Sequence, residues 1–132
     1  VRITADTNLL VRAITGDHAR QSRLAQAQLA QAEAVAVAMP ALCELAWVLS
    51  RGYGAASAQV GEAIRGLIGA ANVCVDRAAS EAGLAQLEAG GDFADGVIAH
   101  EGAWLGGETF VSFDRKAVKL MAAQGVSARL LS

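Results

Sequence analysis

The sequence predicts an α/β fold: a central, mostly parallel sheet of about five strands with helices on both faces. Three observations predict it. Short apolar runs alternate with longer helical patterns along the whole chain. Gly and Pro fall where one pattern gives way to the next. The chain has 132 residues and is 54% hydrophobic, enough for one sizeable core and too short for two. Residues 1–132 are therefore read as a single domain.

The elements follow in order. Residues 2–5 form a short apolar run ending at Asp6, read as a buried strand. Thr7 to Ile14 is helical and Gly16 ends it, with Asp17 placed to cap the next helix, which runs to about Ala34 and turns Ala25, Leu29 and Ala32 inward. Residues 35–38 make the second strand. Pro40 then suits the first turn of a helix, in which Leu42, Leu45, Ala46 and Leu49 fall on one stripe at helical spacing. Gly52-Tyr53-Gly54 breaks that helix. A further helix from Ser57 to about Ile68 leads into a strand at 73–75, and another runs from Arg77 to Ala89, stopped by Gly90-Gly91. A helix opening at Asp92 presents Ala94, Val97, Ile98 and Leu105 to the core and stops at Gly106-Gly107. Thr109 to Phe113 is a strand, Arg115 to Gln124 a helix and Val126 to Leu131 the last strand.

Composition narrows the function classes. No apolar run approaches the roughly eighteen residues that a membrane span needs, and no charged, then apolar, leader opens the chain, so a cytoplasmic protein is expected. Cys43 and Cys74 are far apart and outside any Cys-x-x-Cys pattern, which reads as two buried thiols rather than a disulfide or zinc pair. A net charge of −2 is not the basic excess of a typical nucleic-acid binder. That balance changes if Asp6, Glu44, Asp92, Asp95 and Asp114, among the 13 acids, gather at one place and are neutralised there.

Asp6 and Asp114 each directly follow a predicted strand, and open parallel sheets bind ligands beyond the carboxyl ends of their strands. Either is also a plausible helix cap. Glu44 points away from the leucine stripe of its helix and shares its side with Trp47, Val48 and Arg51, a mixed face suited to a cleft wall or a partner. Asp95 lies on a stripe with Asp92, Ala99 and Gly102, whose small residues allow a close approach to another element. Glu101 falls nearer the core side and is read as an arginine's partner at the rim. Carboxylates gathered in one cleft repel each other unless a cation neutralises them. For an all-oxygen set that cation is Mg²⁺ or Mn²⁺. His18 and His100 are isolated, and neither a Ser-His-Asp set nor a phosphate-cradling Gly-x-x-x-x-Gly-Lys-Ser is present.

Four segments together resemble the PIN-domain ribonucleases, in particular the VapC-type toxins of bacterial toxin–antitoxin pairs. They are Ala-Asp-Thr-Asn-Leu-Leu-Val-Arg at 5–12, Ala-Leu-Cys-Glu-Leu-Ala-Trp-Val-Leu at 41–49, Asp-Phe-Ala-Asp-Gly-Val-Ile-Ala at 92–99, and Phe-Val-Ser-Phe-Asp-Arg-Lys-Ala at 110–117. The likeness spans residues 3 to 131 in order. Gly96 departs from the more usual alanine, His100-Glu101 interrupts a run that is often small, and Ser112 stands where threonine is common.

The resemblance implies a PIN-like three-layer sandwich and a metal-dependent endoribonuclease that hydrolyses phosphodiester bonds in transfer or ribosomal RNA. Asp6, Glu44, Asp95 and Asp114 would hold one or two Mg²⁺ or Mn²⁺ ions, with Thr7, Asn8, Ser112 and Asp92 in support. Arg12, Arg51, Arg115 and Lys116 are the candidates for phosphate contact. It also implies a homodimer and a VapB-type antitoxin, for which Trp47, Val48 and Tyr53 offer an apolar surface. Two other classes compete. One is a non-catalytic PIN-like module that binds RNA or protein, against which the full set of acids counts. The other is a phosphoacceptor receiver domain, which needs an acidic pair after its first strand where this chain has Asp6 alone.

Overall fold

The computed structural model describes residues 1–132 and is an α/β protein of seven α-helices and five short strands, all paired in parallel. The chain divides into two compact units, Val1–Asp76 and Arg77–Ser132. No helix is long and apolar enough to cross a membrane.

In the first unit, β1 (Arg2–Thr4), β2 (Ala34–Ala36) and β3 (Val73–Cys74) form one sheet in that order. Arg2 stands opposite Ala34, and Val35 opposite Val73. The Ala5 amide carries the β1–β2 ladder one step further by donating to the Ala36 carbonyl at 3.0 Å. Parallel neighbours need helical crossovers, supplied here by α1 (Thr7–Thr15), α2 (Ala19–Gln31), α3 (Met39–Trp47) and α4 (Ser57–Ile68). The core is made of Leu10, Val35, Leu42, Leu45 and Ile64, all fully buried. The leucine stripe expected of α3 is thus the buried one.

Local chemistry explains the boundaries. Gly16 ends α1 in the left-handed conformation, φ 67°, which glycine adopts without steric penalty. The cap of α2 corrects the sequence reading: His18, not Asp17, holds it, with Nδ1 accepting from the Gln21 amide at 3.1 Å. Asp17 is engaged elsewhere. Beyond α3 the chain continues as a π-helical turn, Val48–Gly52, closed by the Tyr53 amide on the Val48 carbonyl at 3.1 Å. Such turns are rare and widen the helix locally.

In the second unit, β4 (Phe110–Ser112) and β5 (Ala128–Leu130) form a two-stranded parallel sheet, accompanied by α5 (Arg77–Glu88), α6 (Phe93–Trp104) and α7 (Arg115–Ala123). Helices α5 and α6 approach to backbone contact. A Cβ on Gly96 would lie 2.3 Å from the Ala82 carbonyl oxygen, and one on Gly83 would lie 2.7 Å from the Phe93 ring. Glycine at 96 is therefore a packing requirement. Leu84, Phe93, Val97 and Met121 are buried in this unit.

Two expectations about α6 need correction. Val97 is buried as expected, but Ile98 is 57% exposed and Leu105 89% exposed. Leu105 is the C-cap residue, past the last full turn that could have turned it inward. The cysteines are free, and Cys74 is exposed rather than buried.

Candidate metal centre

Asp6 is placed by the β1–α1 junction. As the N-cap of α1 it has extended backbone, and its Oδ1 accepts the Leu9 amide at 2.8 Å. Asp114 occupies the matching position after β4: it is the N-cap of α7, with Oδ1 accepting the Ala117 amide at 3.1 Å. In each case one carboxylate oxygen is tied to the helix and the second is left. The expected role of Ser112 takes a definite shape, because its hydroxyl oxygen accepts the Asp114 amide at 2.9 Å and so holds the turn that aims Asp114.

Glu44 projects from α3 on the exposed side, as the helical wheel predicts, with Trp47 (63% exposed) and Arg51 also exposed. Asp95 lies in the first turn of α6, half-buried, and Asp92 is the N-cap residue of the same helix. Burial pushes the Asp95 carboxyl above its usual value, and the negative charges of Asp92 and then Asp114 push it further. Three acids of the second unit thus lie within electrostatic reach of one another. Arg115 and Lys116 are exposed and make no ion pair. Within neither unit do three His, Cys, Asp or Glu side chains close into a ready coordination set. Glu101 is exposed without the arginine partner expected of it.

The donor chemistry fits a hard divalent cation. The Asp95 carboxyl is raised first by burial and then by the negative charges of Asp92 and Asp114. Asp6 and Asp114 each keep a carboxylate oxygen beyond the one used for capping. All-carboxylate donors of this kind suit Mg²⁺ or Mn²⁺ rather than a soft metal.

Sequence reasoning missed a polar cluster at the α1–α2 corner. Asp17 accepts from the Tyr53 hydroxyl at 2.5 Å and from Arg12 Nη1 at 3.2 Å, with the Thr15 hydroxyl 2.8 Å away. These donors hold its carboxyl below the usual value, Tyr53 first, then Thr15, with Arg12 adding a smaller electrostatic share. Arg12 is fixed at a second point, its Nε donating to Gln21 Oε1 at 2.8 Å. No signal in the sequence announces the cluster, because its members are 36 residues apart at the widest. When the chain is compared with known protein families and with characterised proteins, no family model and no characterised protein matches it.

Proposed function

We propose that this chain is a Mg²⁺- or Mn²⁺-dependent endoribonuclease of the PIN type, acting as the toxin of a toxin–antitoxin pair. The observation that carries the reading is the half-buried Asp95 carboxyl, raised by burial and by the nearby charges of Asp92 and Asp114, with Asp114 keeping a carboxylate oxygen beyond its cap. The reading carries Asp6, Glu44, Asp95 and Asp114 as the residues that would hold the ion. With it goes the PIN-like three-layer arrangement, in which a mostly parallel sheet of about five strands is covered on both faces.

A divalent ion held by these carboxylates would supply a water acidic enough to be a nucleophile at neutral pH, and positive charge for the phosphate. The chain's own residues orient and bind. Asp6 and Asp114 stand at helix N-termini, each with one oxygen fixed by a backbone amide. Ser112 fixes the turn before Asp114. Asp92, a turn away from Asp95, keeps the local field negative, which favours a cation. Arg51, Arg115 and Lys116, exposed and unpaired, are the groups able to meet backbone phosphates. Thr7 and Asn8 follow Asp6 in the first turn of α1 and line its approach.

Two features support a protein partner. Trp47 is exposed beside Glu44, and an apolar groove of about 540 Å³ runs between α1, α2 and α4, lined by Ile14, Leu29, Ala30 and Leu67. A groove of this kind suits the apolar face of a VapB-type antitoxin helix. The reading also includes a homodimer and a cytoplasmic site of action.

The test is cleavage of total RNA with the 5′ and 3′ ends mapped. Wild type with Mg²⁺ or Mn²⁺ is expected to give discrete cuts, abolished by chelation and by Asp6→Ala. Cleavage that persists in Asp6→Ala and in chelator overturns the reading.

A further inference from the structure

A hollow of about 250 Å³ lies between α1 and α2, with Asp6 at its mouth. Leu9, Leu24 and Ala25 make an apolar floor. Leu24 is 56% exposed on α2, whose other exposed residues are Ala, Gln and Arg. The volume falls short of the roughly 300–1,000 Å³ of pockets for drug-sized ligands. It has room for one flat ring system.

The polar groups around the floor match the edge of such a ring. The carboxamides of Asn8 and Gln28 line the hollow, are exposed and have no partner in the protein. Gln21 gives its oxygen to Arg12 and keeps its amide hydrogens. Side-chain amides pair with base edges through a donor and an acceptor side by side. Arg12 itself is clamped by Asp17 and Gln21. The adjacent carboxylate cancels much of its charge, so it is a poor phosphate anchor compared with Arg51 or Lys116. What remains is a flat guanidinium held in one orientation, the kind of surface on which an unstacked base rests.

We propose that this hollow receives one nucleobase of the RNA, next to the phosphate cut at the Asp6 site, and sets base preference at that position. The inference rests on the nuclease reading and names how its substrate is selected. Arg12 is the stacking wall, Asn8 and Gln28 read the edge, and Leu24 covers the ring.

The experiment is Mn²⁺-dependent cleavage of a single-stranded RNA library with randomised sequence, with the product ends sequenced. Wild type is expected to show base bias at one position beside the cut. Gln28→Ala, Asn8→Ala and Leu24→Ala should each reduce that bias by about tenfold, the size of one base-edge contact, and leave other positions as they were. Leu24→Trp, which fills the hollow, should abolish the bias. Arg23→Ala, on the same helix outside the hollow, should keep the wild-type pattern. Wild-type cleavage with no bias, or bias that survives all four hollow variants, overturns the base subsite while leaving the nuclease reading intact. The second of these results would mean that the hollow takes a protein side chain instead. Absence of metal-dependent cleavage by wild type overturns both.

Discussion

Asp95 sits against its own stability. Its raised carboxyl pKa means that the folded state holds the proton more tightly than the unfolded chain does. Stability therefore falls as pH rises from the ordinary aspartate range through the raised value, and stays reduced above it. Asp95→Asn should melt higher than wild type at neutral pH without metal, with the gap closing as the pH is lowered through that window. Saturating Mn²⁺ should stabilise wild type by about 2.7 kcal/mol at a hundredfold excess over Kd and stabilise the weaker-binding variant by less. Asp17 behaves oppositely. Its carboxyl is lowered by Tyr53, Thr15 and Arg12, so its contribution is present above the ordinary range and lost as pH falls through the lowered value. Asp17→Asn should melt below wild type at neutral pH and converge with it in strong acid, which thermal scans across pH will show. The capping positions of Asp6 and Asp114 were legible in the sequence, because each follows a strand and opens a helix. The work of Asp17 was not, because the position after a glycine stop looks like a cap until Tyr53 is seen to reach it.

Helix α6 sets Asp95 against α5 through glycine. At Gly96 any side chain meets the Ala82 carbonyl, a backbone group that cannot rotate away. Gly96→Ala should destabilise by about 1–3 kcal/mol, the usual range for overpacking. Gly102, on the same helix, has open space where a Cβ would go, and Gly102→Ala should stabilise by about 1 kcal/mol through helix propensity. Denaturant melts of the two variants test both signs in one helix. The helical stripe of α3 was readable from its spacing because Leu42, Leu45, Ala46 and Leu49 recur every three or four positions. Ile98 and Leu105 carry the same spacing in α6 yet are exposed, since periodicity marks a face and does not say which neighbour covers it. The π-turn after α3 also had no signature: its residues, Val48–Gly52, read as an ordinary helix end.

Across the whole chain, alternation of strands and helices foretold the α/β class and the parallel pairing. Strand positions followed within two or three residues. Each observed strand has only two or three residues, so the ends of the apolar runs lie in loops flanking a brief ladder. The strand order β1-β2-β3 and the separate β4-β5 pair depend on crossover geometry that no local pattern encodes. What the sequence did carry is the placing of Asp6 and Asp114 after strands, where one carboxylate oxygen caps the following helix. The central claim is that Asp6, Glu44, Asp95 and Asp114 are each needed to bind a divalent ion. Calorimetric titration of Mn²⁺ into wild type and into Asp6→Asn, Glu44→Gln, Asp95→Asn and Asp114→Asn tests it directly. The account predicts binding by wild type and an affinity loss of about tenfold or more in every variant, in line with loss of a charged ligand. Wild-type affinity in Asp6→Asn and Glu44→Gln, or no binding by wild type at all, would contradict it.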